Sequence, residues 1–372
     1  MGNIRFAIDL GTTMIDGCLV SLESGNIISS GNKKNSQSLY GRDVIGRIFT
    51  ATRDSSYTQI MKKMVVEDII SLFSSMNKNN QINKNDISEI CICGNTTMIS
   101  ILLEQDISTI GVFPFEKSLD KSVLLNSSYL FDDYFASDCN LFFSGCVSAF
   151  IGGDVLSGIV YLSDYDFCNK NKTAMLIDMG TNGEMVLNCK GKYYATSAAC
   201  GPAFESGLKK KNAYGTTLID ALSLGLRTGK VSVEGVLDEK YANEGLKIQD
   251  VVLTQELIHD VLLAKSAIYS GIEALLNNAG IKAIDVESIF IAGGMGAHLD
   301  IDNAVYIGMI PVDFKGKISV IGNSSLKGAC KIHIDNNQID MLIEELDINV
   351  LKLAGTKDYE ERLINNMYFV RK

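Results

Sequence analysis

Two short stretches place an acid at the end of an apolar run and follow it with glycine and hydroxyl or amide residues: Asp9-Leu10-Gly11-Thr12-Thr13 and Asp178-Met179-Gly180-Thr181-Asn182. A turn of this make offers backbone N–H groups and hydroxyls to a phosphate, while the acid can hold the water shell of a divalent cation. Either stretch alone reads as an ordinary hairpin turn. Two copies, joined by the late turn Ile291-Ala292-Gly293-Gly294-Met295-Gly296, point to a nucleotide. The chain has no Gly-x4-Gly-Lys-Ser/Thr string, so a Walker-type loop is excluded.

Other reactive side chains admit plainer readings. Asp154 opens an apolar helix, where it reads equally as an N-terminal cap or as a group that orients water or Mg2+. Lys265 falls within a long helix, where a solvated lysine is the default. Cys200 precedes Gly201-Pro202 and is either a cluster ligand or a small buried residue. His259, His298 and His333 stand apart from any Ser or Cys motif, which leaves a hydrolytic triad without its parts. Asp132-Asp133 reads as a solvated loop, and Glu205 and Arg227 either reach a site or pack helices.

The elements that must position these residues alternate in type along the chain, the pattern of an α/β fold with sheets covered by helices. The opening is a meander of Ile4 to Leu10, Gly17 to Leu22 and Ile27 to Ser30, turning at Glu23-Ser24-Gly25-Asn26. Met61, Met64, Val65, Ile69, Leu72, Phe73 and Met76 recur at helical spacing, with the methionines as core filler. A polar loop from Asn77 to Asn85 leads to a strand at Glu89 to Cys93 and a Gly94-Asn95-Thr96-Thr97 turn that opens another helix. Thr173 to Leu187 repeats the first strand–turn–strand unit, which implies two halves separated by a buried helix region between Leu141 and Leu162. Thr254 caps a long helix ended by Gly280, and the strand Ser288 to Ala292 follows.

The bulk properties set limits. At 372 residues the chain has room for two or three domains, and 46% hydrophobic against 21% charged residues is an ordinary globular composition. The net charge of −10 gives no general attraction for nucleic acid or anionic membranes. Nine cysteines, mostly single in apolar strings, read as reduced cytoplasmic thiols. No C-x-x-C or ferredoxin-like run is present, so no iron–sulfur cluster is expected in this chain. The stretch from Leu141 to Leu162 contains Asp154 and several glycines, and reads as a buried helix with its approach loop rather than a membrane span.

The two phosphate turns, the late glycine turn and two linking stretches, Ala149-Phe150-Ile151-Gly152-Gly153-Asp154 and Gly322-Asn323-Ser324-Ser325-Leu326-Lys327-Gly328-Ala329, occur in the order of the actin-like ATPases. That superfamily, ASKHA, includes acetate and sugar kinases, heat-shock chaperones and actin. Narrower strings resemble the reductive activators of corrinoid proteins (RACo): Gly41-Arg42-Asp43-Val44-Ile45-Gly46-Arg47-Ile48, Cys93-Gly94-Asn95-Thr96-Thr97-Met98, Asp178 to Glu184, and Ala199-Cys200-Gly201-Pro202-Ala203-Phe204-Glu205. Leu253-Thr254-Gln255 with Leu263-Ala264-Lys265, and Leu353-Ala354-Gly355 with Met367-Tyr368-Phe369, resemble the same family.

The resemblance implies two actin-like, ribonuclease H-like halves around a nucleotide cleft. Residues 1–154, with 324–372 returning, form the first half, and 155–323 the second. It implies ATP and Mg2+ as cofactors and an Mg-dependent ATPase activity. Asp9, Asp154 and Asp178 are its catalytic candidates, with Asp9 and Asp178 holding Mg2+-bound water. Thr12, Thr13, Thr181 and Asn182 would contact phosphates beside Gly11 and Gly180, and Gly293, Gly294 and Gly296 would admit the adenosine. Similarity to ribose-contacting positions gives Lys265 a nucleotide role.

Such activators usually carry an N-terminal [2Fe–2S] domain and a linker domain, whereas this chain begins at the ATPase part. The implied function is therefore an ATP-dependent activator, or its ATPase subunit, that assists reduction of cob(II)alamin to cob(I)alamin in a corrinoid protein, with electrons from a separate donor. Three other readings share the fold: a small-molecule kinase, an activator of 2-hydroxyacyl-CoA dehydratase, and a non-catalytic binding module. A homodimer is left open.

Overall fold

Alternation of apolar residues through Phe6, Ile8 and Leu10 lets the first strand bury its side chains, and the hairpin that follows fixes its register. The computed structural model describes residues 3–78, 80–200, 215–296, 299–334 and 337–369. Two compact units result, Met1–Asp166 with Ser324–Ile348, and Phe167–Asn323 with Asn349–Lys372.

The first unit is built on β1 (Ile4–Leu10), β2 (Met14–Ser21), β3 (Ile27–Lys34), β4 (Ile87–Gly94), β5 (Val123–Asn126) and β6 (Asn140–Phe143), ordered β3-β2-β1-β4-β6-β5. β1 is antiparallel to β2 and parallel to β4, so Asp9 lies between Asp16 and Cys93 across the sheet. Helices α1 (Val44–Arg53), α2 (Ser56–Asn77), α3 (Thr96–Leu102), α4 (Ser128–Phe131) and α5 (Gly153–Leu162) belong to it. Along α2, Met61, Val65, Ile69, Leu72, Phe73 and Met76 are buried, as the spacing predicts. The region from Leu141 is not one helix with its approach: β6 takes its beginning, and only Gly153–Leu162 is helical.

The second unit holds α6 (Gly215–Arg227), α7 (Gln255–Ala279), α8 (Gly293–Gly296) and α9 (Ile301–Tyr306). Its main sheet contains β7 (Thr173–Met179), β8 (Asn182–Cys189), β9 (Lys192–Ala199), β12 (Ser288–Ala292), β13 (Ile318–Gly322) and β14 (Asn349–Val350), ordered β13-β12-β7-β8-β9-β14. β10 (Leu246–Ile248) and β11 (Val251–Leu253) form a separate ribbon. Thr254 caps α7 by accepting from the Leu257 N–H at 3.2 Å, and Gly280 ends it with φ +69°, as expected from those residue types.

The chain end departs from the expected division. α10 (Ser324–Ala329) and α11 (Gln338–Leu346) return to the first unit, but β14 and α12 (Lys357–Asn365) belong to the second. β14 extends the second sheet beside β9, and Thr196 Oγ1 donates to the Leu351 carbonyl at 2.9 Å. Asn366 Nδ2 donates to Ser270 Oγ and Glu273 Oε2 on α7, each at 2.8 Å, and Phe369 is fully buried in the same core. α5 likewise lies in the first unit rather than at the start of the second. All nine cysteines are free thiols. Among the described residues no helix is long and apolar enough to cross a membrane.

Candidate functional site

At the end of β1, Asp9 is held by a contact that no local pattern announces. Ser325 Oγ, on α10, donates to Asp9 Oδ1 at 2.9 Å. α10 reaches that position because it packs on α5 at glycine distance: a Cβ on Gly328 would lie 1.8 Å from the Ser157 carbonyl oxygen. Ser157 Oγ in turn donates to the Ser325 carbonyl at 2.7 Å.

Asp154 lies in the first turn of α5, with its Oδ1 accepting from the Val155 N–H at 2.8 Å. It therefore does serve the helix end. It also feels Asp9: burial first, and then the Asp9 charge, raise its carboxyl from 3.8 to about 7. Asp16, opposite Asp9 in the hairpin, rises to about 6 for the same two reasons in the same order. The Asp9 charge thus acts on two other carboxylates, Asp16 and Asp154, which disfavours full ionisation of each pair and which a nearby cation would offset. Asp16 was not among the sequence candidates. The signal was available in the seven-residue spacing from Asp9, which a tight hairpin converts into a cross-strand pair.

These shifts carry a stability consequence. Between pH 4 and 7 the folded protein keeps on Asp154 a proton that the unfolded chain has lost, so stability falls as pH rises through that window and is level above it. Asp154→Asn is expected to remove this part of the decline. Melting temperatures of both proteins from pH 4.5 to 8, without nucleotide, check it: the variant should gain on wild type as pH rises, and a pH-independent difference would refute the assignment.

The turn 11–13 is anchored from behind. Asn35 Nδ2 donates to the Gly11 carbonyl at 2.9 Å, the Asn35 N–H to the Thr13 carbonyl at 2.9 Å, and Arg47 to the Thr12 carbonyl. Thr12 is itself buried, and its Oγ1 accepts from Asn95 Nδ2 at 3.0 Å, so its side chain holds the turn rather than lying open to a phosphate. Asn95 also caps α3 by accepting from the Met98 N–H at 3.0 Å. Thr13, by contrast, is partly exposed.

In the second unit, Asp178 stands at the end of β7, opposite Glu184 on β8 and Ala292 on β12. The Gly180 N–H donates to the Asn182 carbonyl at 2.9 Å and closes the turn, where Gly180 is exposed and Thr181 and Asn182 are half-buried. The three late glycines divide by cause. Gly293 has φ +88°, and a Cβ there would lie 2.3 Å from the Met179 carbonyl oxygen and 2.6 Å from Asp178 Oδ1. Gly296 packs on Ile291, whose Cγ2 would be 2.7 Å from a Cβ, so an internal contact accounts for it. Gly294 faces open space.

Lys265 departs from both expectations held for it. It is fully buried on α7, and its Nζ donates to the carbonyls of Gly308 and Tyr368, tying the chain end to the helix. Neither a solvated lysine nor a ribose contact describes that position. Cys200 is buried and its thiol is pushed up by burial, in line with the small-residue reading. His259, His333, Asp132 and Asp133 are exposed. Arg227 lies 3.8 Å over the Tyr306 ring, a packing role. Glu205, His298 and the string Gly201 to Glu205 lie outside the described residues.

A structure of a reductive activator for a corrinoid, iron–sulfur protein matches 99% of this chain with a TM-score of 0.88 and 26% identity, and the match covers 66% of that structure. The corrinoid activation enzyme RamQ of Eubacterium limosum is 27% identical over 97% of this chain and 70% of its own length. A reductase of the Co(II) methylated amine-specific corrinoid protein from Methanosarcina barkeri is 22% identical over 97% of this chain and 75% of its own. The family model of the RACo middle region matches residues 4–164, so the stretch read from sequence as the first ATPase half corresponds to that region. The model of the C-terminal ASKHA domain of RACo matches residues 172–217 and 209–372. Matched over residues 4–164 and 172–372 by the two RACo models, the chain belongs to the RACo family.

Proposed function

We propose that this chain binds a magnesium–adenine nucleotide and uses it to activate a corrinoid protein, assisting reduction of Co(II) to Co(I) with an electron from a separate donor. The similarity to a solved corrinoid activator along nearly its whole length is the observation that carries this reading. The residues fit the nucleotide. Asp9 raises the carboxyls of both Asp16 and Asp154, a repulsion that a cation near Asp9 would offset. Gly294 leaves room at the late turn. Among the described residues no group of three or more His, Cys, Asp or Glu side chains is placed to hold a metal ion alone, so Mg2+ would draw its other ligands from water and phosphate, as it commonly does.

In this reading Asp9, kept in place by Ser325, is the first unit's acid for a hydrated cation, and Asp178 is the second unit's. The turn around Gly11 and Thr13 and the turn Gly180-Thr181-Asn182 take phosphate oxygens, and the turn beginning at Gly293 and Gly294 takes the adenosine. Bound nucleotide supplies the free energy of phosphoryl transfer to water. What the protein gains from it is a difference in affinity for the corrinoid protein between nucleotide states. The electron has a different source: Co(II) accepts one electron from a low-potential donor, and nucleotide turnover replaces none of it.

The experiment combines the chain, a corrinoid protein from the same organism, Mg-ATP and a low-potential reductant, and follows the cobalt spectrum as each component is omitted in turn. A Co(I) signal that needs the chain, the nucleotide and the reductant is expected. A signal indifferent to the chain would overturn the proposal, and phosphate transfer to a small acceptor would mark a kinase.

A further inference from the structure

The guanidinium of Arg47 is fully buried, 0% exposed, on the inner side of α1. Taking it out of water is costly unless its donors are met. They are met by the Thr12 carbonyl, by Gln37 Oε1 at 3.0 Å and, through Nε, by the Gly41 carbonyl at 3.1 Å. The intervening residues serve that geometry. Asn35 accepts from the Gln37 N–H at 3.0 Å, and Asp43 caps α1 by accepting from the Gly46 N–H at 2.7 Å. Gly41 has no room for a side chain, since a Cβ would lie 2.4 Å from the Arg47 backbone nitrogen.

Together with Asn35, Arg47 draws three successive carbonyls of the first turn, those of Gly11, Thr12 and Thr13, towards the segment 35–47. In a trans peptide the N–H points opposite to the C=O. The same three bonds therefore turn the N–H groups of Thr12, Thr13 and Met14 away from that segment. We propose that Arg47 is a positioning residue for nucleotide phosphate: it fixes the Thr12–Thr13 peptide so that the N–H groups of the first turn face the phosphate. The proposal rests on the nucleotide reading above. A planar fork that meets four acceptors in different directions, the fourth being Met98 Sδ at 2.8 Å, is a task for arginine, and an ammonium on a flexible stem does not reproduce it.

The test uses the full chain and its Arg47→Lys and Arg47→Gln variants, with calorimetry against ATP, ADP and adenosine in Mg2+. Both variants are expected to lose about tenfold or more in affinity for ATP and ADP while binding adenosine as wild type does, and lysine should not rescue. Wild type that binds none of the three overturns the nucleotide reading itself. Wild type that binds, with variants within twofold of it, overturns the role of Arg47 alone. An equal loss for adenosine also overturns it, since that marks general damage. Should the variants fail to fold, amide hydrogen exchange of the wild type decides. ADP is expected to slow exchange at Thr12 and Thr13, and protection confined to residues 291–296 would overturn the proposal.

Discussion

Asp9→Asn and Asp178→Asn are each expected to lower Mg-dependent ATP turnover by about a hundredfold or more while leaving the nucleotide-free protein at least as stable as wild type. The swap preserves size, and at Asp9 an oxygen that can still accept from Ser325, and it removes the charge that on the proposed reading attracts a hydrated cation. At Asp9 it should also stabilise. The Asp9 charge is the second cause of the raised carboxyls of Asp16 and Asp154, and without it both ionise at less cost at neutral pH. A catalytic defect joined to an unchanged or raised melting temperature separates loss of chemistry from loss of fold. Steady-state phosphate release against Mg2+ concentration, with a melting curve for each variant, is the measurement. Turnover at the wild-type rate in both variants would end the cation assignment.

The largest effect on stability is expected at Gly328. A Cβ there would meet the Ser157 carbonyl oxygen at 1.8 Å and its carbon at 2.4 Å, and backbone cannot rotate away as a side chain can. Gly328→Val must therefore separate α10 from α5, breaking the Ser157–Ser325 hydrogen bond and withdrawing Ser325 from Asp9. Overpacking of this kind costs about 3 kcal/mol or more, or roughly 6–12 °C in melting temperature for a unit of this size. Gly294→Ala is the informative contrast, because nothing lies within 4 Å of a Cβ there. It should melt with the wild type and lose adenosine affinity if the late turn holds the base and ribose. Thermal melting of the two variants side by side checks both. A Gly328→Val protein as stable as wild type would show that the helices part without penalty.

Much of the local structure was legible in the sequence because it depends on near neighbours. Apolar alternation marked β1 and β7, and helical spacing marked α2 and α7. Thr254 and Gly280 marked the ends of α7, and the repeated acid-x-Gly-Thr pattern marked the two turns. Each is written in residues a few positions apart, and the family strings added the relationship to corrinoid activators. Only the tertiary structure decided what holds those turns. Ser325 meets Asp9 across 316 residues, and Asn95 meets Thr12 across 83. Arg47 is one letter of a family string in the sequence, whereas its carbonyl partners, Thr12 and Gly41, are set by the fold. Lys265 had the pattern of a surface lysine and is buried because the chain end folds over α7 to meet it. The physical reason is common to all four: periodicity states which face of an element is buried, whereas the partner of that face depends on which distant segment fits against it. That fit is settled by packing and hydrogen bonding over the whole unit, at positions such as Gly328 where a single methyl group decides how closely two helices approach.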